Sequence, residues 1–185
     1  MVEVPAFEKG GNDFLKLSKI SLTIDHYDDI FSDFDSRPYS ERALSDDFLQ
    51  EMKRAVRDKP SGVIELRFLI PHLQRSFSHE HLIKQRLHSH FVKHYEVLQK
   101  EHKSIRRRGF GFAFAGISMI VLASYVAYLE ISSFLYHLLM ILLEPGGWFL
   151  GWTGLDELFY TLKEHTPEVL FYEKMTRCEI HFLSY

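Results

Sequence analysis

The sequence predicts an α+β membrane protein, in which a two-helix transmembrane hairpin is inserted into a small cytoplasmic α/β domain. The first observation behind this prediction is a stretch of twenty residues without a charge, at 110–129. A second apolar stretch, 134–153, follows after a short turn. Near both ends of the chain, apolar and polar residues alternate, which is typical of half-buried strands. We expect about three strands in a mostly antiparallel sheet.

The cytoplasmic domain, expected at 1–108, begins with a strand over 19–25, where isoleucine and leucine alternate with polar residues. The next residues, 26–44, are rich in aspartate and serine and contain a proline, so they are predicted to form a long loop. Ser45 then provides a good N-cap. Two aspartates follow it in the first turn of a helix predicted over 46–57.

A second strand is predicted over 63–70, because apolar residues recur at every second position and Pro71 follows directly. A long helix is predicted over 78–108, a stretch without proline or glycine that carries a rough apolar stripe. This helix runs directly into the uncharged stretch. The last residues, 174–185, alternate again and predict a third strand. We therefore expect the C-terminal segment, 154–185, to complete the sheet on the same side of the membrane.

The transmembrane hairpin is expected at 109–153, with spans over 110–129 and 134–153. About 20 apolar residues are enough to cross the hydrocarbon core as a helix. The alternative is a buried helix of a soluble protein. A domain of this size offers too little protein to cover so apolar a helix on every side.

Residues at the membrane interface are expected to mark the orientation of the hairpin. Basic residues that flank a span stay in the cytoplasm, and amphipathic aromatic rings prefer the interface. The residues expected there are Arg106, Arg107, Arg108, Trp148 and Trp152. Two crossings then leave both termini in the cytoplasm.

The second predicted span contains groups that are costly in a bilayer. Glu144 places a carboxylate near its middle, at a cost of roughly 2.5–3.5 kcal/mol on insertion scales. Pro145 removes a backbone donor, and Gly146 and Gly147 are expected to give a flexible break. His137 adds a second polar group to the span. Two helices shield such groups poorly, so we expect a homo-oligomer with Glu144 facing its interior.

Two other interpretations of this span stay open. In the first, the second helix ends at Glu144, and the following aromatic residues lie flat at the interface among the lipid head groups. In the second, the segment re-enters the membrane without crossing it.

The predicted loop is unusually dense in aspartate, arginine and aromatic residues for a simple connection. Its spacing does not match a calcium-binding loop, because an arginine stands where a third ligand is needed and the required glycine is missing. We expect a contact with another subunit or with a cytosolic protein. The residues expected to make it are Asp33, Asp35, Arg37, Tyr39 and Arg42.

The long helix contains a histidine pair, His90 and His94, whose spacing places both on one helix face, as two metal ligands would lie. A zinc site needs a third ligand, and the stretch lacks the glutamate of an HExxH motif. Packing or solvated histidines are the alternative. Cys178 and His181 fall on opposite faces of the predicted last strand, which disfavours a thiolate–imidazole pair. No phosphate-binding loop or nucleophile elbow is present, so no cofactor is expected.

These features exclude some classes of function and favour others. The formal net charge of −3 argues against a nucleic-acid binder, which needs a broad basic surface. The single cysteine fits a reducing compartment, and the N-terminal residues lack the pattern of a secretory signal. We expect an oligomeric protein of a bacterial inner membrane that forms or gates an ion-permeable pathway among membrane lipids. The alternatives are a membrane-tethered module that recruits a cytosolic partner, and a metal-dependent membrane enzyme.

Overall fold

The computed structural model describes residues 18–57, 63–129 and 133–185. These residues divide into two compact units. The first contains the described residues up to Tyr95 together with Leu170–Tyr185, and the second contains those between Glu96 and Val169. A sheet with its covering helices forms the first unit, and the second is helical.

The described residues form three strands and four α-helices. In chain order these are β1 Ser18–Thr23, α1 Asp46–Arg57, β2 Ile64–Ile70, α2 Phe77–Tyr128, α3 Phe134–Asp156, α4 Leu162–Thr176 and β3 Glu179–Ser184. A π-helical segment, Glu157–Thr161, joins α3 to α4. Helix α1 has its predicted bounds, and the long helix continues into the first apolar stretch as predicted.

The three strands form one sheet in the order β1–β2–β3, and both neighbouring pairs are parallel. The prediction of a mostly antiparallel sheet is therefore wrong. Parallel neighbours need a crossover connection, and both connections here carry helices: α1 lies between β1 and β2, and α2 to α4 lie between β2 and β3. Because the edge strands are half exposed, they alternate in sequence as antiparallel strands commonly do.

The core lies on one face of the sheet, where the Phe68 ring centroid is 5.9 Å from Phe48 of α1 and 5.1 Å from Phe182 of β3. Fully burying a side chain of this size stabilises the fold by roughly 1.5–3 kcal/mol. Most of the fully buried side chains come from β2 and three helices, and include Met52, Ile64, Leu66, Phe68, Ile70, Ile83, Leu87, Phe91 and Met175. Ile30 and Phe31, from the segment between β1 and α1, are also buried. On the other face of β2, Glu65 and Arg67 form an ion pair at 2.7 Å.

Helix α3 begins at the predicted residue, Phe134, and continues to Asp156. The interpretation in which this helix ends at Glu144 is therefore wrong, and so is the expected break at Pro145. A proline inside a helix costs one main-chain hydrogen bond and crowds the preceding turn. The turn that follows packs closely on α2, which favours the continuous helix.

Two helical stretches, Phe77–Tyr128 and Phe134–Thr176, are long and apolar enough to cross a membrane, with mean hydropathies of 1.9 and 1.3 in their most apolar parts. Only 11% and 6% of those parts are buried inside the protein. The core helix of a soluble protein would be mostly covered, so these stretches suggest association with a membrane.

The C-terminal segment contains a helix, α4, that the sequence analysis missed. Pro167 lies inside it, and its mixed sequence lacks a clear apolar stripe. Its last turns bury three large side chains, Phe171, Tyr172 and Met175. This packing stabilises the helix where local propensity does not. The strand predicted over 174–185 is consequently shorter, because Thr176 still belongs to the helix.

Candidate functional site

Small residues form the contact between α2 and α3. A Cβ atom added at Gly116 would lie 2.7 Å from the Gly147 carbonyl oxygen, and one added at Gly154 would lie 2.7 Å from the Gly109 carbonyl oxygen. Only glycine fits at that distance. Close backbone approach through small residues is how helices associate in membranes, where lipid is as apolar as the side chains. We call Gly109, Ala113, Gly116, Gly147, Gly151 and Gly154 the small-residue seam.

The seam also accounts for the glycines that follow Pro145. Gly147 is buried against Ile120 and Gly116 of α2, and a Cβ atom added at Gly146 would lie 2.9 Å from the Met119 methyl carbon. Both glycines therefore allow close packing within an unbroken helix.

The seam fixes the level of Glu144 along the hairpin. Gly147 lies between Gly116 and Ile120, and the same antiparallel register, continued by one turn, places Glu144 level with Val121. Val121 is about 2 Å along the helix axis from the middle of the uncharged stretch of α2. The hydrocarbon core of a bilayer extends about 15 Å to each side of its middle. A bilayer centred on that stretch would therefore enclose the Glu144 carboxylate.

Two polar side chains, Glu144 and His137, are exposed on α3. Glu144 lies beside the seam, because it is three residues from Gly147 and seven from Gly151. Glu144 and His137 are seven residues apart, a separation that returns to nearly the same helix face. The Nδ1 atom of His137 is 3.0 Å from the Ser133 carbonyl oxygen. No hydrogen bond or ion pair from the described part of the chain reaches the Glu144 carboxylate. We call Glu144 and His137 the α3 polar pair.

The arginines predicted at the interface lie beside the polar end of α3. The Nη2 atom of Arg108 is 3.7 Å from Glu157 Oε1. The adjacent residues, Gly109 and Leu158, also pack together. Arg106 and Arg107 are exposed. The ends of the two apolar stretches thus meet at one level of the hairpin.

The structure places the predicted interface tryptophans deeper along α3. Trp148 and Trp152 are both exposed. The seam register sets Trp148 level with Ile117, and Trp148 is about 13 Å along α3 from Glu157. Trp152 lies one turn nearer to that end. If the first span covers 110–129, Trp148 therefore lies inside the membrane and not at its interface.

Most of the residues predicted for a partner contact also form hydrogen bonds and ion pairs within the loop between β1 and α1, and the partner contact itself stays a prediction. Asp35 accepts hydrogen bonds from the Arg37 side chain at 2.7 and 2.9 Å and from the Ala43 backbone N–H at 2.7 Å. The Arg37 guanidinium, together with that N–H, holds the pKa of Asp35 well below its ordinary value. Arg42 pairs with Asp28. These ion pairs account for much of the charge density seen in the sequence.

Tyr39 completes this network, and Asp33 stands apart from it. The Tyr39 hydroxyl donates to Asp28 Oδ1 at 3.1 Å, and burial raises the pKa of this tyrosine. Arg42 also donates to the Ser32 carbonyl oxygen at 3.1 and 3.2 Å. Asp33 is exposed, and so is its neighbour Phe34.

This loop lies at the carboxyl edge of the sheet, because β1 and β2 are parallel and the loops that follow them meet there. His26 Nε2 is 3.1 Å from Gln74 Nε2, and the Tyr185 hydroxyl that follows β3 is 3.5 Å from Asp25 Oδ1. Open α/β sheets bind their ligands at this edge.

Behind the edge, a buried network ties the loop to the start of α2. The Tyr27 hydroxyl donates to Glu80 Oε1 at 3.1 Å and accepts from the Ser76 backbone N–H at 2.9 Å. Arg75 donates to both oxygens of Glu80, at 2.9 and 3.0 Å. Burial raises the pKa of Tyr27. All of these groups are satisfied internally, so the network is structural.

Sequence analysis did not identify the exposed apolar side chains near this edge. Phe34 and Leu73 are almost fully exposed, and Phe77 is 80% exposed. The Arg75 guanidinium lies 5.4 Å from the centre of the Phe77 ring. Large apolar side chains in exposed loops are typical of interaction surfaces. In the sequence, the one indication of these side chains is that large apolar residues stand among polar ones.

The histidine pair is packed in the first unit. The ring centroids of His90 and His94 are 3.9 Å apart, and the His94 ring also stacks on Tyr172 at 5.4 Å. His90 is buried, its Nε2 atom has no hydrogen-bond partner, and burial lowers its pKa to about 4. The described residues contain no group of three metal-binding side chains. Stacked rings with a single buried nitrogen do not form a metal site.

Cys178 has the properties of a structural thiol. It is partly buried just before β3, and burial raises its pKa to about 12. A thiol that stays protonated at neutral pH is a poor nucleophile. His181 is 3.7 Å from Glu179.

Comparison of the chain with protein-family models, curated proteins and solved structures finds no match. The function therefore has to be argued from the geometry described above.

Proposed function

We propose that this protein is a homo-oligomeric integral membrane protein in which the α3 helices of several copies enclose an ion-permeable pathway. The α3 polar pair would line this pathway. The observation that carries the proposal is the position of Glu144, whose carboxylate is exposed on α3 beside the small-residue seam and has no hydrogen-bond or ion-pair partner in the described part of the chain.

The Glu144 carboxylate needs a polar or protein surface next to it, because a bilayer does not solvate a charge. A charged group at the centre of a bilayer costs roughly 2.5–3.5 kcal/mol on insertion scales. The partner helix α2 packs along the seam and leaves the neighbouring Glu144 side chain exposed. Ionisable residues in spans usually face a bundle interior or a water-filled cavity. A second copy of α3 packed against Glu144 would supply such an environment.

The chemistry of the pair favours the passage of cations or protons. A carboxylate attracts cations, and the imidazole of His137 two turns away adds a second polar group to the same side of the helix. The uninterrupted helix would hold both groups along one wall. The α/β domain would assemble or gate the oligomer from the cytoplasmic side. In this proposal both termini face the cytoplasm, and a bacterial inner membrane is the expected location.

The test is ion flux through liposomes that contain the purified protein. Wild type should conduct above protein-free liposomes, and Glu144→Gln should lower the flux by roughly tenfold, because it removes the charge but keeps the shape. Ser118→Ala is the matched control. That hydroxyl is also exposed in an apolar helix, but it donates only to its own helix, at the Phe114 carbonyl oxygen. Equal flux from wild type and Glu144→Gln would refute the proposal.

A second candidate is a membrane-tethered module whose hairpin is only an anchor. The exposed Phe34, Leu73 and Phe77 favour this candidate, since they present apolar surface at the ligand-binding edge of the sheet. A photo-crosslinker placed at residue 34 should then capture one defined cytosolic protein in living cells. A Leu73→Glu change should abolish that adduct, while liposomes with the protein show no flux. The metal-dependent enzyme gains no support, because the histidines are stacked among aromatic rings.

A further inference from the structure

The basic end of α2 carries an open groove of about 460 Å³. Its lining residues are Lys100, Lys103, Ser104, Arg106, Arg107 and Phe110. Lys100, Lys103, Arg107 and Phe110 are spaced by three, four and three residues, so they follow one another along a single helix face. We call this feature the basic groove.

The basic groove carries clustered positive charge. Among the described residues, its lining contains four cationic side chains and no carboxylate. Within the described ranges none of these four side chains forms an ion pair. Arg108, by contrast, projects outside the groove and lies 3.7 Å from Glu157. Four cations clustered without a counter-ion create a positive potential that attracts anions from outside the chain.

The position of the groove indicates which anion fits. Phe110, at its lower end, is 62% exposed and is the first residue of the uncharged stretch. Arg106 and Arg107 lie about 5–6 Å along the axis from Phe110, which is within the polar head-group layer of a bilayer. Lysine and arginine stems pack on apolar groups while their heads reach phosphate. The groove thus combines an apolar floor with a cationic wall.

We propose that the basic groove binds the phosphate of an anionic phospholipid, with Phe110 in contact with the start of its acyl chains. Lys103 and Arg107 would hold the phosphate, and Lys100 and Arg106 would hold the outer part of the head group. This site does not depend on whether α3 encloses an ion pathway.

Membrane orientation alone is the competing explanation of these basic residues. The positive-inside rule counts charges near a span and is indifferent to the helix face that carries them. A lipid site requires particular residues on one face. Variants that remove equal charge from different faces therefore separate the two explanations.

The test uses the full chain in detergent micelles that contain equal amounts of phosphatidylglycerol and phosphatidylcholine, with the retained lipid counted by native mass spectrometry. Wild type should retain phosphatidylglycerol preferentially. Lys103→Gln with Arg107→Gln should weaken that preference roughly 25-fold, at about fivefold for each charge lost near the membrane surface. Lys103→Arg with Arg107→Lys keeps both charges and should preserve it.

The matched control removes two other charges from the same helix, Lys93→Gln with Arg108→Gln, and should preserve the preference. An equal loss in both double glutamine variants would overturn the proposal and leave only orientation. Wild type without a preference would overturn it as well. Displacement of the lipid by millimolar inorganic phosphate would point to a site for soluble anions and would also contradict it.

Discussion

His90 is a buried imidazole whose Nε2 atom has no hydrogen-bond partner among the described residues, with the His94 ring stacked on one side and Phe91 and Tyr172 nearby. Burial lowers its pKa to about 4, and the charges of His94 and Arg86 act in the same direction. Protonation of His90 is therefore unfavourable in the folded protein. The unfolded chain binds this proton more readily.

From this it follows that acid should weaken the first unit through His90. An unfolded histidine titrates near pH 6.5, so its contribution to stability is complete above that pH and declines down to about pH 4. The loss is on the order of 3 kcal/mol. His90→Phe should remove this dependence, which chemical unfolding between pH 4 and 7 can measure. Parallel stability profiles for wild type and His90→Phe would contradict the assignment.

Asp35, like His90, favours its deprotonated form in the folded protein, but here the deprotonated form is the charged one. Arg37 and the Ala43 N–H lower its pKa, so the ionised form stabilises the loop above about pH 4, the ordinary aspartate range, and this contribution is lost as the pH falls further. Asp35→Asn should lower the melting temperature at pH 7, and the difference should shrink below pH 4. Asp33→Asn is the control and should have little effect at either pH. Equal melting temperatures for both variants at pH 7 would count against this role.

At the scale of elements, the glycines of α2 differ in how much space surrounds them. Gly116→Ala would place a methyl group against Gly147 and Gly151, whereas a Cβ atom at Gly111 meets nothing within 4 Å. Gly116→Ala should destabilise the hairpin by about 1–3 kcal/mol through overpacking. Gly111→Ala should leave it unchanged or more stable, because alanine favours a helix. Unfolding in detergent measures both, and equal effects would mean that the seam is not a close contact.

The elements differ in how far the sequence predicts them. Helix α1 was predicted to the residue because Ser45 and two aspartates mark its start, and the apolar stretches were predicted by length. The direction of the strands was not, since a parallel sheet with one exposed face alternates like an antiparallel one. Helix α4 was concealed by Pro167 and is stabilised by tertiary packing.

The small-residue seam could also have been predicted from the sequence. Its members recur at spacings of four and three on both helices, the pattern of small residues at helix contacts in membranes. The sequence analysis instead assigned Gly146 and Gly147 to a break, because Pro145 precedes them. Deciding between a break and a packed helix needs the partner surface, which only the fold supplies.

At the scale of the whole molecule, the pairing of β2 with β3 brings the N- and C-terminal segments into one sheet, as the alternation near both ends predicted. The edge formed by the loops after the strands was not predictable, because it depends on strands that are parallel. Phe34, Leu73 and Phe77 are exposed near that edge, and this too depends on the direction of the strands. The level of Glu144 likewise depended on the seam register, although its cost in a bilayer was evident from the sequence.

The central claim is that further copies of the chain cover the α3 polar pair. The most direct test is the protein mass in detergent, measured by light scattering with the detergent contribution subtracted. We predict a single species at an integral multiple of 21.8 kDa, at least twice that mass. A clean species of 21.8 kDa would leave Glu144 facing lipid and would contradict the oligomeric pathway.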